Sequence, residues 1–427
     1  MKRMTKGKFV PVLLTAALGF GLVACGGDDS STSTEAPAGS EAPASSEAPE
    51  GSEAPEGTDA PAEGATMANF TAWADIPDSG TESPVVDCAP EEGPLKAAWV
   101  YVGPTNDGGW TQTHDEGRLA AQEALGDAVE TTYKENVPEG PQVVQTVEDL
   151  IADGNTVIFG TSFGFQDAFV ELAAAHPDVC FEFATGYLSA PNLSQFYGAA
   201  EDTDYLAGMA AGAASETGKL AILASFPIPE VVRGVNAWTL GAQAVNPEAT
   251  VKVVWLNTWF DPPAERKAAE ALIAEGYDVL GMKGIDSPST GDAALAAGIP
   301  WAGYNRDNSA NYGDVWLTAS SYHWDVYLTP RLQQIIDGTW TAGNYYGNLS
   351  DGFVTMASFG DLVSEETRAL IEAKAEELAA ATGSQFTGPI MDNQGNEALA
   401  DGVSHTFGEL MSMSYLVAGV DGEIPAS

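Results

Sequence analysis

Residues 96–118 read KAAWVYVGPTNDGGWTQTHDEGR, and the order of elements in this stretch decides the fold. Its first eight residues, KAAWVYVG, are an apolar run of strand length, GPTNDGG is a polar loop, and Trp110 stands at the mouth of a helical window. A strand feeding a helix through a short loop is half of a βαβ unit, and such units are right-handed and build parallel sheets. Gly108 and Gly109 let the backbone turn tightly, while Trp110 offers a flat apolar face with one N–H donor.

The same alternation runs down the chain. VETTYKE (129–135), TVIFG (156–160), VCFEFATG (179–186) and LSQFYGAA (193–200) are short β-rich runs separated by amphipathic windows. After a helix over 204–217 the series restarts with KLAILAS (219–225), VKVVWLNTW (251–259), DVLGMKG (278–284), PWAGYN (300–305) and VWLTAS (315–320). Ten strands are too many for one comfortable sheet, so the pattern predicts an α/β protein of two doubly wound, parallel-sheet lobes. The first covers about 95–200 with a return over 323–350, and the second covers 201–322 with the segment 351–427. Residues after about 385 read as turns and a short final hairpin or helix.

Ligands of open α/β sheets bind beyond the carboxyl ends of the strands, and a cleft between two lobes is a ready small-molecule site. The strand ends here offer Asn106, Asp107, Trp110 and Thr111 after the first run, Phe163 after the third, and Trp259 with Phe260 after the seventh. Asp286 with Ser287 follows the eighth, and Asn305 with Asp307 the ninth. Two tryptophans facing each other across a cleft suit a planar ligand, since each stacked pair adds about 0.5–1.5 kcal/mol beyond burial. The polar groups could hydrogen-bond ring nitrogens, amines or hydroxyls, or could equally be helix caps. The first loop is no phosphate site: it lacks the spacing of a P-loop or a dinucleotide fingerprint, and Asp107 would repel phosphate.

At 427 residues with a net charge of −44, 9% aromatic and 44% hydrophobic residues, the chain is acidic on a globular composition. That charge argues against nucleic acid and against electrostatic attachment to anionic lipid. The four histidines, His114, His176, His323 and His405, lack metal-ligand spacing, and no nucleophile elbow appears, so neither an enzyme, a metal nor a cofactor is expected.

The N-terminus is a targeting device. Lys2, Arg3, Lys6 and Lys8 precede an apolar run from Phe9 to Ala24 that is short for a membrane span, and Leu22-Val23-Ala24-Cys25 resembles the bacterial lipobox. The resemblance implies a signal peptide over 1–24, lipidation of Cys25 and anchoring outside the cytoplasm. Residues 26–66 repeat an acidic Ala-Pro unit every six residues, from Glu35-Ala-Pro37 to Asp59-Ala-Pro61, and read as an extended tether. In an oxidising compartment Cys88 and Cys180 are read as one disulfide, with two separate buried thiols as the alternative. Both should lie at the end of their sheet opposite the pocket.

Taken together, GPTNDGGWTQTHDEG (103–117), FGTSFGFQDAFVELAAAHPDV (159–179), the long stretch 201–247 around FPIPEVVRGVNAW, NTWFDPPAERKAAEALIAEGYDVL (257–280), GYNRDN (303–308) and LQQIIDGTW (332–340) resemble the basic membrane protein family of ABC-transporter substrate-binding lipoproteins, which includes purine-nucleoside receptors. The resemblance implies a type I periplasmic-binding fold with three hinge crossings, a purine base or nucleoside as ligand, and an ABC permease as partner of a monomer. It also implies that Asp107 and Trp110 are the acid and stacking aromatic of the first loop, with Thr111 where the family often has Asn. By the same matching Trp259 is the second aromatic, and Asn305 and Asp307 the ribose-region acid. Where nucleoside binders often carry a lysine, this chain reads SSYHWD (320–325), which puts His323 or Trp324 there and moves the expectation toward the free base. A sensor lipoprotein, a nucleoside hydrolase using Asp107 and Asp286, and a flavin or pyrimidine binder are the alternatives.

Overall fold

The computed structural model describes residues 67–76, 79 and 86–425; the leader, the lipobox cysteine Cys25 and the repeats up to residue 66 lie outside the described residues. Among the described residues, two seven-stranded sheets carry the architecture. The first contains β1 (Phe70–Ala72), β2 (Leu95–Val100), β3 (Val129–Lys134), β4 (Val157–Gly160), β5 (Cys180–Ala184), β6 (Leu193–Gly198) and β12 (Gly343–Gly347), in the order β1-β12-β6-β5-β4-β2-β3. The second contains β7 (Lys219–Ala224), β8 (Thr250–Trp255), β9 (Val279–Lys283), β10 (Trp301–Asn305), β11 (Trp316–Tyr322), β13 (Val354–Met356) and β16 (Val420–Asp421), in the order β13-β11-β10-β9-β7-β8-β16. All neighbours are parallel except β1 on β12 and β13 on β11. A two-stranded hairpin of β14 (Ile390–Met391) and β15 (Glu397–Leu399) completes the strands.

The central strands are buried on both faces, which is why they read as apolar runs and not as alternation. Every position of β4, β5, β6, β9, β10 and β11 is buried, and in β2 only Lys96 is exposed. Four helices belong to the first sheet: α1 (Trp110–Leu125), α2 (Gln142–Ala152), α3 (Gln166–Ala175) and α9 (Asp325–Ile336). The second has α4 (Ala200–Ala214), α5 (Pro229–Val245), α6 (Pro262–Ala274), α7 (Ser289–Ala297), the short α8 (Ser309–Tyr312), α10 (Glu365–Ala380) and α11 (Phe407–Met411). Helix α4 begins earlier than the sequence predicts, because β6 ends at Gly198 and the chain turns at once. Its small residues bring α5 into backbone contact: a Cβ on Gly208 would lie 2.0 Å from the carbonyl oxygen of Trp238.

The chain passes between the sheets three times, from β6 to α4, from β11 to α9 and from β12 to β13. Cys88 and Cys180 form a disulfide with Cα atoms 5.9 Å apart, tying the segment before β2 to the start of β5. Because parallel strands begin at the same edge, the bridge lies at the edge opposite the carboxyl ends of the strands.

The first crossing is charged and buried. Glu201 pairs with Arg233 at 3.2 Å and accepts the Tyr346 hydroxyl, while Asp202 accepts the Gly383 amide at 2.9 Å. Burial first, then the charge of Glu201, pushes the Asp202 carboxyl up to about 8. In the unfolded chain an aspartate titrates near about 3.9, so the folded state binds the extra proton between these values. Stability from this group is therefore complete at low pH and lost as pH rises from about 4 toward 8. Asp202→Asn should flatten that part of the curve, as followed by urea unfolding at a series of pH values; an unchanged slope would assign it elsewhere.

Candidate functional site

The first loop is built around Asp107. Its carboxylate accepts the amides of Gly109 (2.8 Å), Thr111 (2.8 Å) and Gln112 (3.0 Å), tying up the free donors of the first turn of α1. Burial raises its pKa, and those hydrogen bonds only partly offset the rise. Asp107 is thus held in the helix start, the capping role that competed with ligand binding in the sequence.

The glycines serve an approach between lobes. A Cβ on Gly109 would stand 2.4 Å from the carbonyl oxygen of Asp286 and 2.8 Å from its Cα, so the first loop lies directly on the segment after β9 of the other sheet. The Trp110 amide points at Asp286 Oδ1 across 3.4 Å, and the Trp110 indole N–H donates to the Thr161 carbonyl at 2.6 Å. The ring packs edge-on against His114, Tyr322 and Trp324, with centroids 4.6, 5.8 and 5.0 Å away.

From the second lobe, the Trp259 indole N–H donates to Glu139 Oε1 at 3.2 Å, and its ring leans on Phe226 at 4.8 Å. The same Glu139 oxygen accepts the Ser162 hydroxyl and the Gly164 amide at 2.6 and 2.9 Å, so one carboxylate of the first lobe clips the two walls together. Arg306 and Glu116 make a second link at 3.2 Å.

Between these walls lies a small cavity. Trp110, Phe163, Trp259 and Tyr304 form its aromatic surfaces, and Glu230, Asp286, Thr161, Ser162 and Thr185 supply polar groups. Asp286 is buried, and burial together with the charge of Asp107 pushes its carboxyl well above the usual range. A carboxyl that keeps its proton can donate a hydrogen bond as well as accept one.

Of the residues singled out in the sequence, the structure brings Trp110, Phe163, Trp259 and Asp286 to this cavity. It does not bring the others. Asn106 is exposed and Thr111 is buried in the first turn of α1 beside Asp107. Asn305, Asp307 and His323 line a separate groove with Arg306, Trp324 and Thr355. The reasons are local. Asp307 caps the turn into α8 by accepting the Ser309 amide and also holds Ser358, while His323 Nε2 shares a hydrogen bond with Thr355 at 2.8 Å. Asn305 turns its side-chain amide toward Asp286 at 3.4 Å from a left-handed backbone, φ 72°.

Glu230 and Tyr304 are the two cavity residues with ionisable side chains that the sequence reading passed over, beside Val102, Thr161, Ser162, Thr185 and Gly284. Glu230 follows β7 in FPIPE, at a strand end of the kind that yielded the others, and Tyr304 immediately precedes Asn305. Among the described residues, no group of three or more His, Cys, Asp or Glu is arranged to hold a metal ion, and no helix is long and apolar enough to cross a membrane.

The profile of the Bmp family, described as "ABC transporter substrate-binding protein PnrA-like", matches residues 95–385. A purine-binding protein of Brucella abortus is 39% identical over 331 residues, covering 78% of this chain and 94% of its own. A Haloferax volcanii ABC transporter protein, provisionally described as glucose-binding, is 37% identical over 367 residues, covering 86% and 88%. Among solved structures, an ABC transporter solute-binding protein of Conexibacter woesei superposes with a TM-score of 0.55 at 21% identity, over 67% of this chain and 96% of its own, which speaks to the fold.

Proposed function

The chain belongs to the Bmp family of PnrA-like ABC transporter substrate-binding proteins, and from that premise we propose that it encloses a purine-type ligand, free base ahead of nucleoside, between its two lobes. The observation that carries this reading is the cavity lined by Trp110 from one lobe and Trp259 from the other. Flat apolar faces beside a few polar groups suit a heteroaromatic ring. The Brucella relative, purine-binding by its description, supports the same ligand class.

In this reading the protein is a binder and not an enzyme. It acts outside the cytoplasm as a monomer, lipidated at Cys25, and hands its ligand to an ABC permease. Asp286 donates to a ring nitrogen, and Trp110 and Trp259 stack on the base. Of the groups that the resemblance places near the ribose or at the family's lysine, Asp307 and His323 line the separate groove and Asn305 spends its side-chain amide on Asp286, which favours the base over the nucleoside. The Haloferax relative keeps glucose as the competing ligand.

A calorimetric and thermal-shift screen of residues 67–427 against adenine, guanine, hypoxanthine, their nucleosides and glucose separates these readings, because a ligand that binds only the native state raises its melting temperature. A response to a base but not to glucose supports the proposal. Trp110→Ala should then weaken base binding by about tenfold or more through lost stacking and burial. Unchanged affinity would remove the indole from the site.

A further inference from the structure

The hydroxyl groups beside the cavity form a chain whose direction is fixed at both ends. Lys283, paired with Asp204 at 2.7 Å, reaches the Tyr304 hydroxyl at 3.2 Å. Tyr304 reaches Tyr322 at 3.2 Å, Tyr322 reaches Tyr197 at 2.7 Å, and Tyr197 reaches Glu230 Oε1 at 2.5 Å. An ammonium only donates, an ionised carboxylate only accepts, and each phenol has one proton to give. Counting donors and acceptors therefore assigns every proton: Lys283 gives to Tyr304, Tyr304 to Tyr322, Tyr322 to Tyr197, and Tyr197 to Glu230. Tyr197 is the penultimate residue of β6 and Tyr322 the last of β11, the strands that lead into two of the three crossings, so the chain holds Glu230 against the hinge side of the cavity that it lines. One carboxylate oxygen is committed to Tyr197, and the other is left for the ligand as an acceptor.

We infer that Glu230 is a specificity-determining residue, whose carboxylate accepts the imidazole N–H that a free purine base has and its N9-substituted nucleoside lacks. This rests on the proposed purine reading and adds to it the group that tells base from nucleoside. A substituent on that nitrogen removes the donor and sets carbon against the oxygen that Tyr197 does not hold, leaving that oxygen without a partner. Sites built to hydrogen-bond a ligand group reject analogues that lack it far more strongly than apolar pockets reject a missing methylene. The chain also makes Tyr197 a positioning residue, which orients Glu230 without touching the ligand.

The test is calorimetry with adenine and 9-methyladenine on the wild type, Glu230→Gln and Tyr197→Phe. In the wild type, 9-methyladenine should bind about a hundredfold more weakly than adenine. Glu230→Gln should weaken adenine by about tenfold to a hundredfold and change 9-methyladenine by less than about threefold, closing the gap between the two probes. Tyr197→Phe, which leaves the carboxylate in place, should narrow the gap only in part. Binding of 9-methyladenine within about threefold of adenine in the wild type overturns the assignment, as does an equal loss for both probes in Glu230→Gln. Failure of the purine reading looks different: wild-type protein that binds glucose and neither adenine nor guanine overturns both.

Discussion

Replacing Gly109 with alanine is expected to weaken base binding by about a hundredfold while leaving the melting temperature of the unliganded protein within about 2 °C of the wild type. The new methyl carbon would sit 2.4 Å from the carbonyl oxygen of Asp286 and within 2.9 Å of its Cα and carbonyl carbon. These are backbone atoms of the other lobe and no side chain can swing away, so relief requires the lobes to part. Within the first lobe little changes, because Asp107 still accepts the Thr111 and Gln112 amides that start α1. An enclosed ligand binds tightly only to the closed arrangement, and its apparent affinity falls in proportion to the closed fraction. A penalty of about 3 kcal/mol on closure is a factor of about one hundred. Calorimetry with the base found in the screen measures the loss, and small-angle scattering with saturating ligand measures whether the lobes still close. Affinity within threefold of the wild type would show that closure does not need this contact.

The two-lobed α/β architecture was legible because both sheets are built from apolar runs of strand length separated by helical windows. Strands β1, β13 and β16 were not, because an edge strand of two or three residues buries too little to leave a periodic pattern. β12, with the sequence GNYYG, has a glycine at each end and an asparagine, so only Tyr345 and Tyr346 favour a strand and the run is too short to show a pattern. Within the site, inspecting strand ends led to Trp110, Phe163, Trp259 and Asp286, and the same rule applied to β7 would have led to Glu230. It could not distinguish residues that face a ligand from those that fasten a turn. Asp107 and Asp307 are both aspartates after a strand and ahead of a helix, and both spend their oxygens on backbone amides. Which way a side chain points depends on register and on the neighbouring lobe, and local sequence contains neither. The buried Lys283–Tyr–Glu230 chain was equally invisible, since its members come from four strands and a helix in both lobes.

Arg331→Met should cost about 3–5 kcal/mol of stability and leave ligand affinity unchanged, because its partner is a carboxylate that cannot be left alone. Glu182 sits in the middle of β5, fully buried, where a parallel sheet ordinarily places apolar side chains. Four donors make it tolerable there. Arg331 Nε and Nη2 reach Oε1 at 3.0 and 2.7 Å, the Trp340 indole N–H reaches the same oxygen at 2.7 Å, and the Tyr327 hydroxyl reaches Oε2 at 2.5 Å. The guanidinium also donates to Ser194 and to the Thr341 carbonyl, and lies over the rings of Trp340 and Phe70 at 5.1 and 4.8 Å. Methionine restores part of the packing but none of the charge, so the carboxylate must keep its charge unpaired or take up a proton. A double replacement with Glu182→Leu removes the charge itself and should recover most of the loss, since a buried ion pair as a whole contributes little net stability. None of these residues lines the cavity between the lobes, which separates this effect from that of Gly109. Urea unfolding of the two single variants and the double variant completes the cycle. A cost below about 1 kcal/mol for Arg331→Met would mean that Tyr327 and Trp340 satisfy the carboxylate without it.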